Sequence, residues 1–246
     1  MMLLDLSWLE LGLAILVVIV GTIIQSSVGF GLALIAAPVL LLIDRHLVPG
    51  PLIAAALSQV VWMAYKDRHA INFSHFKAAL FGRLIGTPPA AFLMGTMSVM
   101  VFDLLFAVLV LIAVAISLIH TSIRATPKNV FFATIASGFM STISSIGGPP
   151  VALVYQNTSG SELRGNLAML FAMGCVVSLT ALTIIGRFGL QDVYYSLFLI
   201  IGVIVGVLCS GPFKRLIDKQ SARPWLLGLC SLSAFMVLAR AMLSLF

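Results

Sequence analysis

Apolar residues run through this chain in blocks too long for a water-soluble fold. Leu11 to Ile43 and Asn129 to Ser161 contain no Asp, Glu, Lys or Arg, 33 residues each. A helix that crosses a bilayer needs roughly 20. Shorter apolar blocks follow the first run at Pro51 to Tyr65, Lys77 to Met97 and Val99 to Ile119. Others follow the second run at Gly165 to Gly186, Val193 to Phe213 and Pro224 to Leu243. The pattern predicts an all-α polytopic membrane protein made of one long run plus three ordinary helices, twice. The repeats would be residues 1–122 and 123–246, together one membrane domain.

The duplication is visible in the residues. Ser26-Ser27-Val28-Gly29-Phe30-Gly31 matches Ser144-Ser145-Ile146-Gly147-Gly148-Pro149 at an offset of 118, and the two charge-free runs start at the same offset. Gly82, Gly86 and Ala90 match Gly202, Gly206 and Ser210 at an offset of 120, a small residue at every fourth position. Weak internal symmetry of this kind is common in secondary transporters. A continuous helix of either long run would measure about 50 Å, against a hydrocarbon core of about 30 Å. Each run therefore tilts strongly or breaks. The break is expected at the Ser-Ser-x-Gly stretches, where glycine is a poor helix former and Pro149 and Pro150 lack an amide donor.

Two topologies follow. If each long run crosses once, eight spans divide the basic residues evenly: Lys66, Arg68, Lys77, Arg124, Lys128, Arg187 and Arg240 against Arg45, Arg164, Lys214, Arg215, Lys219 and Arg223. If each run folds back as a re-entrant hairpin, Lys66, Arg68, Lys77, Arg124, Lys128, Arg164, Lys214, Arg215, Lys219 and Arg223 share one face. Only Arg45, Arg187 and Arg240 are then left on the other. Cytoplasmic loops are enriched in Lys and Arg, so the second division is the one expected. It places both termini outside the cytoplasm and relates the halves as inverted repeats.

Composition changes this picture little. The chain is 61% hydrophobic and 9% charged, with a mean hydropathy of +1.16, whereas soluble domains carry about a quarter charged residues. The net charge of +6 is spread over short gaps between apolar blocks, which fits membrane orientation and not a nucleic-acid surface. Asp5 and Glu10 precede any basic residue, so the first apolar segment is expected to stay in the mature chain as a span. Cys175, Cys209 and Cys230 lack metal-ligand or CxxC spacing and read as packing residues. His46, His69, His75 and His120 sit at or between segment ends, unpaired along any helix. No metal site, phosphate-binding loop or cofactor is predicted.

The candidate chemistry lies at the two breaks. Where a helix resumes after a break, free amides and the positive end of its dipole can hold an anion, and serine hydroxyls add donors. This singles out Gln25, Ser26, Ser27, Gly29, Phe30 and Gly31 in the first half, and Ser144, Ser145, Gly147, Gly148 and Pro149 in the second. Arg83 lies about 9 Å deeper along its helix than Lys77. An arginine at that depth either neutralises an anion or extends its long side chain to the headgroups. Arg164 and Asn166 open the helix after the second break and are candidates for a polar entrance, or for a topology signal alone. Ser58 and Gln59 either face the cavity or join helices. Asp103 reads as an interfacial residue near an outer helix end, with no role in proton relay.

Ser27-Val28-Gly29-Phe30-Gly31 followed by Pro38, with Gly147-Gly148-Pro149-Pro150-Val151-Ala152-Leu153, resembles the TauE/SafE (TSUP) family over nearly the whole chain. The resemblance implies a multi-pass inner-membrane permease, often an exporter, for small sulfur-containing anions such as sulfite, thiosulfate or organosulfonates. Its partners would be the anion and the lipid bilayer, with homo-oligomerisation left open. Two other classes compete. An intramembrane enzyme needs a serine and a histidine at similar depth, and every histidine is peripheral. A noncatalytic subunit or assembly factor has no evident need for polar backbone deep in lipid. Transport of a non-sulfur organic anion is the remaining alternative.

Overall fold

The computed structural model describes residues 6–118, 123–158, 160–217 and 235–236. The described part is helical: α1 (Trp8–Val28), α2 (Leu32–Ile43), α3 (Gly50–Lys66), α4 (Phe76–Thr96), α5 (Val99–Leu118), α6 (Pro127–Ser144), α7 (Gly148–Val154), α8 (Gly160–Ile184) and α9 (Leu190–Ile217), with three short 3-10 turns between α2 and α4. The predicted block Pro224 to Leu243 lies outside the described residues except for positions 235–236. Among the described residues five segments are long and apolar enough to cross a membrane: Trp8–Val28, Arg45–Lys66, Val99–Leu118, Gly160–Ile184 and Leu190–Gly211. The outer surface is itself apolar, with Phe81, Phe92, Phe132, Ile112 and Leu208 all exposed. Bilayer lipid solvates such a surface and water does not. This chain is a multi-pass membrane protein.

Local signals set the helix ends. Ser7 and Glu10 form a reciprocal capping box at the start of α1, which satisfies two amides that have no partner within the helix. Thr126 caps α6, with Pro127 in its first turn, where no amide is needed. Both long runs break as expected. The first breaks between Gly29 (φ 100°) and Gly31 (φ 135°), conformations that favour glycine. The second breaks at Ser145, which adopts a left-handed φ of 63°.

The register of the repeat differs from the sequence match. α1 ends at Val28 and α6 at Ser144, the left-handed residues are Gly29 and Ser145, and α2 and α7 restart at Leu32 and Gly148. Each pair is 116 positions apart, not 118. Pro149 and Pro150 fall in the first turn of α7, where an amide is not needed. The second break lies two residues earlier than the matching Ser-Ser-x-Gly letters place it.

Two glycine-bearing seams join the halves, beside the packing of α3 on α8 and α9. In one, α4 lies against α6 in the same direction. A methyl group at Gly82 would collide with the Phe131 carbonyl and Thr134, and one at Gly86 with the Ile135 carbonyl. In the other, α9 lies along α1. Gly202 faces the Ile15 carbonyl and Val18, and Gly206 faces the Ile19 carbonyl and Thr22. Glycine at every fourth position lets helix backbones approach closely, the usual way of packing in lipid. The facing carbonyls, Ile15 with Phe131 and Ile19 with Ile135, are again 116 apart. Each half thus contributes a helix that grips the other half's broken run.

Contacts at the helix ends sort the loops into two groups. Arg45 pairs with Asp103 at 3.0 Å, the His46 ring stacks on Tyr195, and Gly50 packs on Phe188. At the opposite end Arg164 pairs with Asp67 at 3.1 Å, Asn166 accepts the Asn72 amide at 2.7 Å, and the His75 ring meets the Ala125 carbonyl at 2.9 Å. The sequence places Asp103 at an interface. In the fold it is 3% exposed and held by Arg45, because the chain after α2 folds over the start of α5.

Candidate functional site

The two breaks meet. The Phe30 ring of the first packs on Gly148 of the second, and beside this contact a cavity opens. It measures about 50 Å³, counted as the room open to the centre of a water molecule. That exceeds the roughly 15 Å³ one water requires. Gln25, Phe30 and Gly31 line it from the first break, and Ser145, Ile146, Gly147, Gly148 and Pro149 from the second. Arg83 of α4, Ser141 of α6, and Phe171, Cys175 and Ser178 of α8 complete the polar side and one end. Ala33, Leu34, Ile53, Ala56 and Val60 supply an apolar wall.

Arg83 dominates the electrostatics. Its side chain does not extend to the headgroups: it is 2% exposed and donates to the Ser141 hydroxyl at 2.6 Å and the Ser137 carbonyl at 3.2 Å. Gly174 of α8 faces the guanidinium at a distance no side chain could share. Among the described residues no carboxylate lies within ion-pair distance of Arg83, and its Nε–H is buried without a hydrogen-bond partner. A buried cation in this state strongly favours any anion that reaches it.

The other expected residues fall in different places. The Gln25 side-chain oxygen Oε1 accepts the Leu32 amide at 2.9 Å, so it caps α2 while lining the cavity. Ser26 accepts from Gln59, whose amide also donates to the Thr22 carbonyl. Gln59 therefore joins α3 to α1. Ser27 and Ser144 donate back to the Ile23 and Met140 carbonyls within their own helices, and Ser58 does the same to Ala55. Gly29 packs against Leu167 and Arg164. Arg164 is engaged by Asp67, and Asn166 lines a smaller pocket with Tyr155 and Asn72. These last residues are off the main cavity.

Sequence reasoning missed Ser141, Ser178 and Cys175. Thr134, Ser137 and Ser141 form a small polar stripe at helical spacing within an otherwise apolar run, a signal that marks one face of α6. Ser137 donates to the Gly147 carbonyl, and Ser178 pairs with Thr142 at 2.9 Å. Together they tie the second break and α8 to the helix that holds the arginine. Among the described residues no cluster of His, Cys, Asp or Glu has the makings of a metal site.

A multi-pass bundle whose two broken helices enclose a cation-bearing cavity is the architecture of a membrane transporter. The family model described as Sulfite exporter TauE/SafE matches residues 13–237, and the chain belongs to that family, one of transporters and not of enzymes. No curated protein and no solved structure matches the chain.

Proposed function

We propose that this protein exports a small sulfur-containing anion across the inner (plasma) membrane, holding it between the two helix breaks with Arg83 as the counter-charge. The observation that carries the reading is the guanidinium itself, buried at the cavity wall with a free Nε–H and without a carboxylate partner among the described residues. Stripping water from a cation costs several kcal/mol unless an opposite charge and hydrogen bonds replace it. A bound anion supplies both. Membership of the TauE/SafE family supports sulfur oxyanions and the outward direction.

The same reading includes inverted repeats. The chain after α2 returns to the end where α1 begins, as the stacking of His46 on Tyr195 at the start of α9, which runs alongside α1, supports. Similarly α8 begins at the end where α6 begins, through Asp67, Asn72 and His75. Each long run then re-enters, the two from opposite faces. Single cysteines at Lys66 and Lys214 are expected to label from the same side of sealed vesicles; labelling from opposite sides would defeat the inverted arrangement. For the binding role, Arg83→Gln in proteoliposomes is expected to abolish sulfite flux while the protein still inserts. Unchanged flux kinetics would remove Arg83 from the mechanism.

A further inference from the structure

The cavity's charge count constrains the passenger further, resting on the reading that Arg83 binds it. Among the described lining residues Arg83 is the one charged side chain. Cys175 is a thiol, which carries no positive charge in either of its forms.

The helix ends add neutral donors only, among them the Gly147 and Gly148 amides at the cavity wall. At the start of α2 the Leu32 amide already donates to Gln25. At the start of α7 Pro149 and Pro150 have no amide to give. The hydroxyls are largely committed too. Ser145 donates to the Pro49 carbonyl at 3.1 Å, Ser178 is paired with Thr142, and the Ser141 oxygen accepts from Arg83. As for full charge, what remains is one guanidinium facing a wall of Ala33, Leu34, Ile53, Ala56, Val60 and Phe171.

We infer that the cavity takes its sulfur anion singly charged and with a short apolar group, as a small sulfonate monoanion, and rejects dianions of the same size. A guanidinium fork satisfies two oxygens of a sulfonate head. A second negative charge would enter a low-dielectric site with no cation to meet it. Oxygens turned to the aliphatic wall would lose their water hydrogen bonds without replacement, whereas a methyl or ethyl group there gains by leaving water.

Methanesulfonate and sulfate separate the possibilities, because they share a tetrahedral shape and differ by a methyl in place of one charged oxygen. Binding of each is measured by calorimetry to the purified full-length chain in lipid nanodiscs, with sulfoacetate as a second dianion. Methanesulfonate is expected to bind at least about tenfold tighter than either dianion. Arg83→Gln should remove that binding, and Arg83→Lys, which keeps the charge, should restore part of it. Thermal unfolding checks that both variants are folded. Sulfate or sulfoacetate binding as tightly as methanesulfonate, still dependent on Arg83, would overturn the charge-state inference and leave the anion site standing. Binding indifferent to Arg83 would overturn both; no binding of any of the three would overturn the charge-state inference, and the anion site would then stand or fall with the dependence of sulfite flux on Arg83.

Discussion

The α4–α6 seam and the α1–α9 seam have the same backbone and opposite chemistry. In each, two glycines four residues apart let a helix lie against the carbonyls of its neighbour. The residue after the first glycine is Arg83 in one seam and Val203 in the other. Arg83 reaches Ser137 and Ser141. At the structural offset of 116 their counterparts are Gly21, closed off by Leu32, and Gln25, engaged in capping α2. Val203 is buried in the apolar core. The two seams thus share one backbone arrangement, and a few side chains made one of them a place for charge.

Substitutions in the two seams are expected to have different consequences. The largest effect is on transport: Arg83→Gln should lower flux more than about 100-fold, equivalent to roughly 3 kcal/mol, without loss of insertion. Next comes packing. Gly86→Ala drives a methyl into the Ile135 carbonyl and Gly206→Ala drives one into Thr22 and the Ile19 carbonyl, so each should lose about 1–3 kcal/mol of stability in thermal unfolding. If only one of them did, the seams would not be mechanically equivalent. Ser141→Ala removes the hydroxyl that Arg83 holds at 2.6 Å. An apparent affinity about tenfold weaker is expected from competition assays, in line with a hydrogen bond to a charged group. Val203→Ala is the smallest: about 1 kcal/mol of stability lost with flux within twofold. A large transport defect there would show that the apolar seam also takes part in binding.

Much of this was legible in the sequence, for identifiable reasons. The breaks were legible because glycine and proline act on the backbone locally, whatever packs around them. Their relative register was not, since matching serines and glycines favour an offset of 118 while the helix ends lie 116 apart. Arg83 was conspicuous as a cation in an apolar helix, but its direction depends on which face of α4 meets α6, a long-range fact. The pairing of Arg164 with Asp67 spans 97 positions and leaves no local trace. Cys175 and Ser178 were invisible for the opposite reason, being small groups on a helix that carries its function by position alone.

The crosswise grip of the seams has a mechanical consequence. α4 carries the guanidinium of the first half but is clamped to the broken helix of the second, and α9 holds the broken helix of the first. A tilt of α4 would carry with it the helix that ends at Ser145, because Gly82 and Gly86 leave no slack between the two backbones.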